Sequence, residues 1–152
     1  MSFLSGFVGR WDGACGFRLM PHETLAQGPS RAELSSEAAG SGWLLRYSWT
    51  HPDDGEQSGS LLLGSVNDEG EIAAGWIDSW HQHPDLRLLT GWGADDAVMV
   101  EMEYSGWGWQ IELRADGPEL RMVMRNVIPA GLDGHEPGAY VVMDARWAPS
   151  SD

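Results

Sequence analysis

GWLLRYSWTH, residues 42–51, alternates along its whole length: Trp43, Leu45, Tyr47, Trp49 and His51 fall on one side, Leu44, Arg46, Ser48 and Thr50 on the other. A period of two is the side-chain period of an extended chain, so the stretch predicts a strand with one face turned to a core. The same alternation recurs outward in both directions. Toward the C-terminus it runs over Leu61–Val66, Ile72–Trp80, Leu86–Trp92, Val98–Tyr104, Trp107–Ala115, Leu120–Ile128 and Tyr140–Trp147. Toward the N-terminus it is weaker, over Trp11–Met20 and Arg31–Ala38, where glycine blurs which side is interior and a single bulge would reverse it.

Turn chemistry separates the runs. Pro52-Asp53-Asp54-Gly55, Asn67-Asp68-Glu69-Gly70, Asp95-Asp96 and Ala115-Asp116-Gly117 each combine Asp or Asn, which bond their own backbone, with Gly or acidic partners suited to hairpin connections. Only Ser2–Val8 could make a short helical turn; no other stretch carries a 3.6-residue period. Ten short strands joined by hairpins must close or stack, because an open sheet of that width leaves two edges exposed. Local connectivity favours closure. The expected fold is all-β: a single antiparallel up-and-down β-barrel of about ten strands, like a lipocalin or fatty-acid-binding protein, over residues 1–152.

The bulk composition narrows the function. Nine Arg and no Lys face 23 acidic residues, for a formal charge of −14. That balance reads as a solvated surface and leaves no basic stripe for phosphates, so nucleic acid and anionic membranes are not expected as partners. One cysteine, Cys15, excludes an internal disulfide and a Cys-based zinc site, and it falls on the parity of Trp11 and Phe17, where a thiol simply packs. MSFLSGFVGRW lacks a basic n-region and a long apolar core, which points to a soluble, cytoplasmic protein without a signal peptide.

Nine Trp and 20 Gly in 152 residues put the apolar mass into large rings on strands that bend sharply. Assigning the apolar side of each strand to the interior places Trp43, Tyr47, Trp49, Trp76, Trp80, Trp107, Trp109, Met102, Met122 and Met124 inside. Those side chains either fill the lumen or line a pocket for an apolar or aromatic ligand.

GWIDSWHQHPD, residues 75–85, holds the candidate chemistry. Trp76, Asp78 and Trp80 share the interior side; Ile77, Ser79 and His81 share the other. An interior Asp78 must be paired, hydrogen-bonded or neutralised. It either fixes packing by accepting bonds from Arg, Tyr or indole N–H groups, anchors a polar group of a ligand, or serves as a general acid or base. His81 and His83 form an H-x-H that could share a metal if Asp85 or His51 arrived as a third ligand, but Pro84 marks a strand end and a solvent-exposed rim. His22 and His135 fall in polar connections. No serine elbow or phosphate loop is present. No cofactor or metal is expected.

Gly9-Arg10-Trp11, at the entrance to the first strand, resembles the opening G-x-W signature of the lipocalin and calycin superfamily. Asp144-Ala145-Arg146-Trp147 resembles its last strand, which implies that Arg146 packs across Trp11 and closes the barrel base. The combination of Gly9, Trp11 and Gly13 with Trp76-Ile77-Asp78-Ser79 is similar to a bacterial family of lipocalin-like proteins whose biochemistry is open. A related group, resembling nitrobindins, binds haem through a His on a late strand; this chain has none between Trp107 and Asn126 or from Pro137 onward.

The expected function is therefore a non-enzymatic barrel that binds a small apolar or aromatic molecule, with Trp43, Tyr47, Trp49, Trp76, Trp80, Trp107 and Trp109 supplying stacking area and Asp78 orienting a polar group. Two alternatives stand beside it. One is a small barrel enzyme of isomerase, decarboxylase or hydrolase type that uses Asp78 with a histidine such as His51. The other is a filled structural barrel acting through its outer surface, with a homodimer as one form.

Overall fold

The computed structural model describes residues 3–151, so the Ser2 end of the expected helical turn lies outside the described residues. After a 3₁₀ turn at Phe3–Phe7 come ten strands: β1 Gly9–Phe17, β2 Ala26–Glu37, β3 Gly42–His51, β4 Gly55–Gly64, β5 Glu71–Asp78, β6 Arg87–Gly93, β7 Ala97–Tyr104, β8 Trp107–Asp116, β9 Glu119–Ile128 and β10 Gly138–Pro149. Each pairs with its neighbours in sequence, and β10 returns to β1, giving a closed antiparallel up-and-down barrel of the lipocalin and fatty-acid-binding-protein type. Closure pairs the last strand with the first, so the sheet has no edge strand.

All ten expected strands form, and their bounds differ where pairing outweighs polarity. β4 starts at Gly55, six residues ahead of Leu61, because polar Glu56–Ser60 lies in register with β3, from His51 opposite Gly55 to Arg46 opposite Ser60. β5 stops at Asp78, two residues before Trp80, and the chain turns there. No helix of the described residues is long and apolar enough to cross a membrane.

The two ends of the barrel differ. One is shut by the Phe3–Phe7 turn: Leu4 is fully buried, the Phe7 ring stacks on Trp11 at 5.5 Å, and the Trp11 indole donates to the Phe7 carbonyl at 2.9 Å. Arg146 does not cover Trp11, contrary to the resemblance. Its neighbours Ala145 and Trp147 point inward, so strand alternation turns it outward, where it lies 3.7 Å from Asp116 and 4.0 Å from Asp144. The other end gathers the β1–β2, β3–β4, β5–β6, β7–β8 and β9–β10 connections.

Inside, one apolar cluster runs the length of the barrel. It joins Trp43, Leu45 and Trp49 of β3 to Trp76 of β5, Trp109 and Leu113 of β8, Met122 and Met124 of β9 and Trp147 of β10. Met102 and Trp80 pack against it partly exposed, and Trp107 is also only partly buried, because all three stand near the loop end. A bulge between Val141 and Met143 breaks the alternation of β10, so adjacent Val142 and Met143 are both buried.

Gly13 marks where closure is tightest. A Cβ there would stand 1.9 Å from the Arg146 carbonyl oxygen of β10, a backbone atom that cannot move without breaking the β1–β10 ladder. Gly13→Ala is expected to cost about 2 kcal/mol or more, the range of core overpacking, while Gly6→Ala, whose added methyl meets open space, stays within about 0.5 kcal/mol of the parent. Urea unfolding of both variants checks this.

Candidate functional site

Strands β3, β4 and β5 set Tyr47, Gly59 and Asp78 side by side across the barrel wall. Gly59 is there because its neighbours need the space: a Cβ would lie 2.3 Å from the Tyr47 phenol and 2.6 Å from the Asp78 Cβ. Its bareness lets Tyr47 reach across β4, donate to Asp78 Oδ2 at 3.2 Å and accept from the Trp76 indole at 2.9 Å. Burial, reinforced by the adjacent Asp78 charge, pushes the Tyr47 phenol well above its ordinary value, so it stays a donor.

Asp78 ends β5 and builds the turn that follows. Its Oδ1 accepts from the backbone amides of Trp80 and Gln82 at 3.0 Å each, and from that of His81. An Asp side chain that bonds amides two to four residues ahead folds the chain back on itself. That fold-back carries the His81 ring inward, where its Nδ1 sits 2.9 Å from Asp78 Oδ2 and its side chain is 2% exposed. The strand parity that assigns His81 outward therefore fails: the strand has ended, and the turn sets the direction. His83 remains exposed, so the H-x-H pair does not share a face.

Burial alone raises the Asp78 carboxyl; the His81 hydrogen bond and charge, with the His81 and Gln82 amides, outweigh it and hold the group below the usual carboxylate range. An ionised carboxylate can only accept, so His81 Nδ1 carries a proton toward Asp78 and Nε2 is the nitrogen left to face the interior. Nε2 is buried without a hydrogen-bond partner.

Rings surround that nitrogen. Trp49 stacks on the His81 ring at 5.8 Å, Trp109 lies tilted at 5.4 Å, and Trp80 meets it edge-on at 4.7 Å. Trp76 stacks on Trp109 at 5.2 Å and Tyr47 on Trp49 at 5.8 Å. The indole N–H groups of Trp49 and Trp109 are likewise buried and unpaired, whereas those of Trp76 and Trp80 are satisfied by Tyr47 and Asp54. Phe17, His51 and Trp80 form the rim at this end, with centroids 5.0 to 5.9 Å apart.

Of the residues singled out in the sequence, Tyr47, Trp49, Trp76, Asp78, Trp80 and Trp109 come together here. Trp43 is buried toward the closed end, six residues and roughly 20 Å of strand from Trp49. Its indole is also unpaired. Trp107 meets His135 of the β9–β10 loop edge-on at 6.2 Å. His51 does not reach Asp78 as a partner: its Nδ1 accepts from the Asp53 and Asp54 amides of the turn at 3.1 and 3.0 Å. Cys15 is fully buried, and burial pushes its thiol up to about 12. His22 lies exposed in its loop.

His81 is the residue the sequence reading misses. Its signal was local: Asp at a strand end, followed by Ser and, three residues on, His, is the pattern of an Asp-nucleated turn rather than of a continuing strand.

An open concavity of about 750 Å³ lies on the outer face of β1–β5, with Arg10, Arg31 and Arg46 around a floor of serines. Its charges largely cancel. Arg31 pairs with Asp12 at 3.2 Å, and Glu33 stands between Arg10 and Arg46 in register. The buried polar atoms are on the other side of the wall. No family model matches the chain, and no curated protein matches it.

The carboxyl of Asp78 sets an acid limit on stability. A folded value depressed below 3.8 contributes stability that is full above that value and is lost as pH falls through the folded value. Asp78→Asn is expected to lower stability at neutral pH by about 3 kcal/mol, since it leaves His81 and the turn amides imperfectly paired. The variant should also lose less of its remaining stability between neutral pH and the acid limb than the parent. Chemical unfolding across pH measures both.

Proposed function

We propose that this barrel, a member of the lipocalin-like proteins it resembles, binds a small apolar or aromatic molecule carrying a hydrogen-bond acceptor, at its loop end. The observation that carries the reading is the group of buried, unpaired polar atoms on touching rings: His81 Nε2 and the indole N–H groups of Trp49 and Trp109. A buried polar atom without a partner costs free energy, about 1 to 3 kcal/mol each, which a ligand recovers on binding: its acceptor at the two indole N–H groups, and an O–H or N–H at His81 Nε2. Tyr47, Trp49, Trp76 and Trp109 supply flat apolar area. Asp78 is committed to the turn, to Tyr47 and to His81, so it positions the anchor and His81 presents it.

Entry is through Trp80 and the β5–β6 connection, since the opposite end is plugged by Leu4 and Phe7. The ring packing is close, so binding moves the Trp80 side of the rim outward. A lone buried thiol is consistent with a reducing, cytoplasmic setting.

A second reading rests on the Asp78–His81 pair itself. A histidine fixed at Nδ1 by a carboxylate, with Nε2 free toward an apolar interior, is equipped to act as a general base on an enclosed substrate. This keeps the enzymatic alternative, with His81 in place of His51.

Tryptophan emission decides the binding reading. Titration with aromatic carboxylates and medium-chain fatty acids should give saturable quenching, and Trp49→Phe, which keeps a ring but removes the N–H, should weaken binding roughly tenfold, about one hydrogen bond. Emission unchanged across both series would count against binding at this site. Turnover of any bound compound, abolished in His81→Phe, would favour the base.

A further inference from the structure

The outer surface of the barrel is divided. On β7–β10 many outward side chains are charged, and several are tied to one another: Arg121 forms a two-point contact with Asp144 at 2.8 Å, and Arg125 meets Glu112 at 2.7 Å. On β3–β6 the pattern is opposite. Residues 44–48, 58–62, 73–77 and 88–92, the central spans of four adjacent strands, contain no carboxylate, in a chain with 23. Arg46 is their one charge.

This wall also holds half of the large apolar side chains exposed on the molecule among the described residues: Leu62, Leu86, Leu88 and Trp92, from 50% to 77% exposed. Three of them converge. Leu62, Gly75 and Leu88 stand in one cross-strand row, and Leu86 lies over the bare Gly75, with its methyl groups 3.6 and 3.8 Å from where a Cβ would be. Without a side chain at position 75, the three leucines form one patch instead of separate bumps. Contiguous exposed apolar area of this kind marks a surface that is covered in use.

We propose that a second copy of this chain covers it, through a two-fold contact of β3–β6 on β3–β6. Charge selects that partner. At a net −14, two copies repel on any face rich in carboxylates, and the face without them is where they can approach. A two-fold axis lays the patch on itself, so an uncharged leucine cluster is its own complement, and the charged β7–β10 walls end on opposite sides of the pair. Acids border the patch and keep it from spreading: Glu33 opposite Arg46, Glu71 opposite Trp92, Glu101 opposite Thr90, and Asp85 beside Leu86. Four strands about 4.8 Å apart give a narrow face, so the total interface falls near or below about 1,200 Å², in the weak class. Association is therefore concentration-dependent and tightens with salt, because added ions screen the net repulsion while the apolar contact is unaffected.

Sedimentation velocity on the full chain, from micromolar to millimolar protein and at low and high sodium chloride, tests it. The expected result is a monomer that passes to a species of twice the mass as concentration rises, with several-fold tighter association at high salt. Leu62→Glu with Leu88→Glu should weaken association at least tenfold with an unchanged thermal midpoint, while Leu132→Glu, on the β9–β10 loop, should associate like the parent. A parent that stays monomeric over the whole range overturns the proposal. So does association that weakens with salt, continues past two copies or survives the double substitution, and so does a monomer whose patch binds neutral lipid vesicles instead.

Discussion

A carboxylate sealed from water has to be surrounded by donors, and much of one end of this barrel is arranged around doing that for Asp78. Its two oxygens take a phenol, an imidazole and three backbone amides. Each donor constrains something else. The phenol of Tyr47 reaches only because position 59 has no side chain, and the same oxygen satisfies the Trp76 indole. The amides end β5 and start the turn, and the turn delivers His81 to the interior. Removing the charge would release the turn as well as the pair, since the same oxygens hold both.

Closure supplies the frame in which that arrangement is rigid. The β1–β10 ladder leaves room for a bare Gly13 and nothing larger, while Gly9, at a φ of +140°, opens β1 in a conformation that side chains avoid. Between them Trp11 is pinned beneath Phe7. The G-x-W-x-G pattern thus has a mechanical content: two glycines permit a tight seam and the tryptophan plugs its end. The plug shuts one end of the barrel, and Asp78 and His81 lie at the other.

How much of this could be read beforehand follows from which interactions are local. Strand alternation is a property of neighbours two apart, so GWLLRYSWTH and the runs like it disclose the ten strands, their turns and the interior set Tyr47, Trp49, Trp76, Asp78 and Trp109. The polar start of β4 was hidden because its extension is imposed by the β3 partner. His81 was hidden because parity holds only while a strand lasts, and Asp78 ends it. Arg146 was misplaced because the resemblance carried a role that this chain's alternation on β10 does not support; Phe7, seven residues into the chain, does the covering. The bareness of Gly59, which makes the Tyr47–Asp78 contact possible, is a three-strand property that no single stretch contains.

The interior combines two properties that pull in opposite directions. Stacked rings at 5 to 6 Å stabilise the barrel by dispersion and apolar burial and leave little room. Unpaired N–H groups and an unpaired imidazole nitrogen at the same place make that packing incomplete in hydrogen-bonding terms. A purely structural core of this size would be expected to end its polar atoms on partners, as Trp147 does on Ser30 and Trp76 on Tyr47. The exceptions are not spread evenly. Trp43 stands alone toward the closed end, whereas Trp49 and Trp109 both touch His81 beneath the Trp80 rim, next to the connections that can move with least loss of packing. The hydrogen-bonding deficit of the interior is therefore greatest just beneath the rim, at the end where the packing can loosen at least cost.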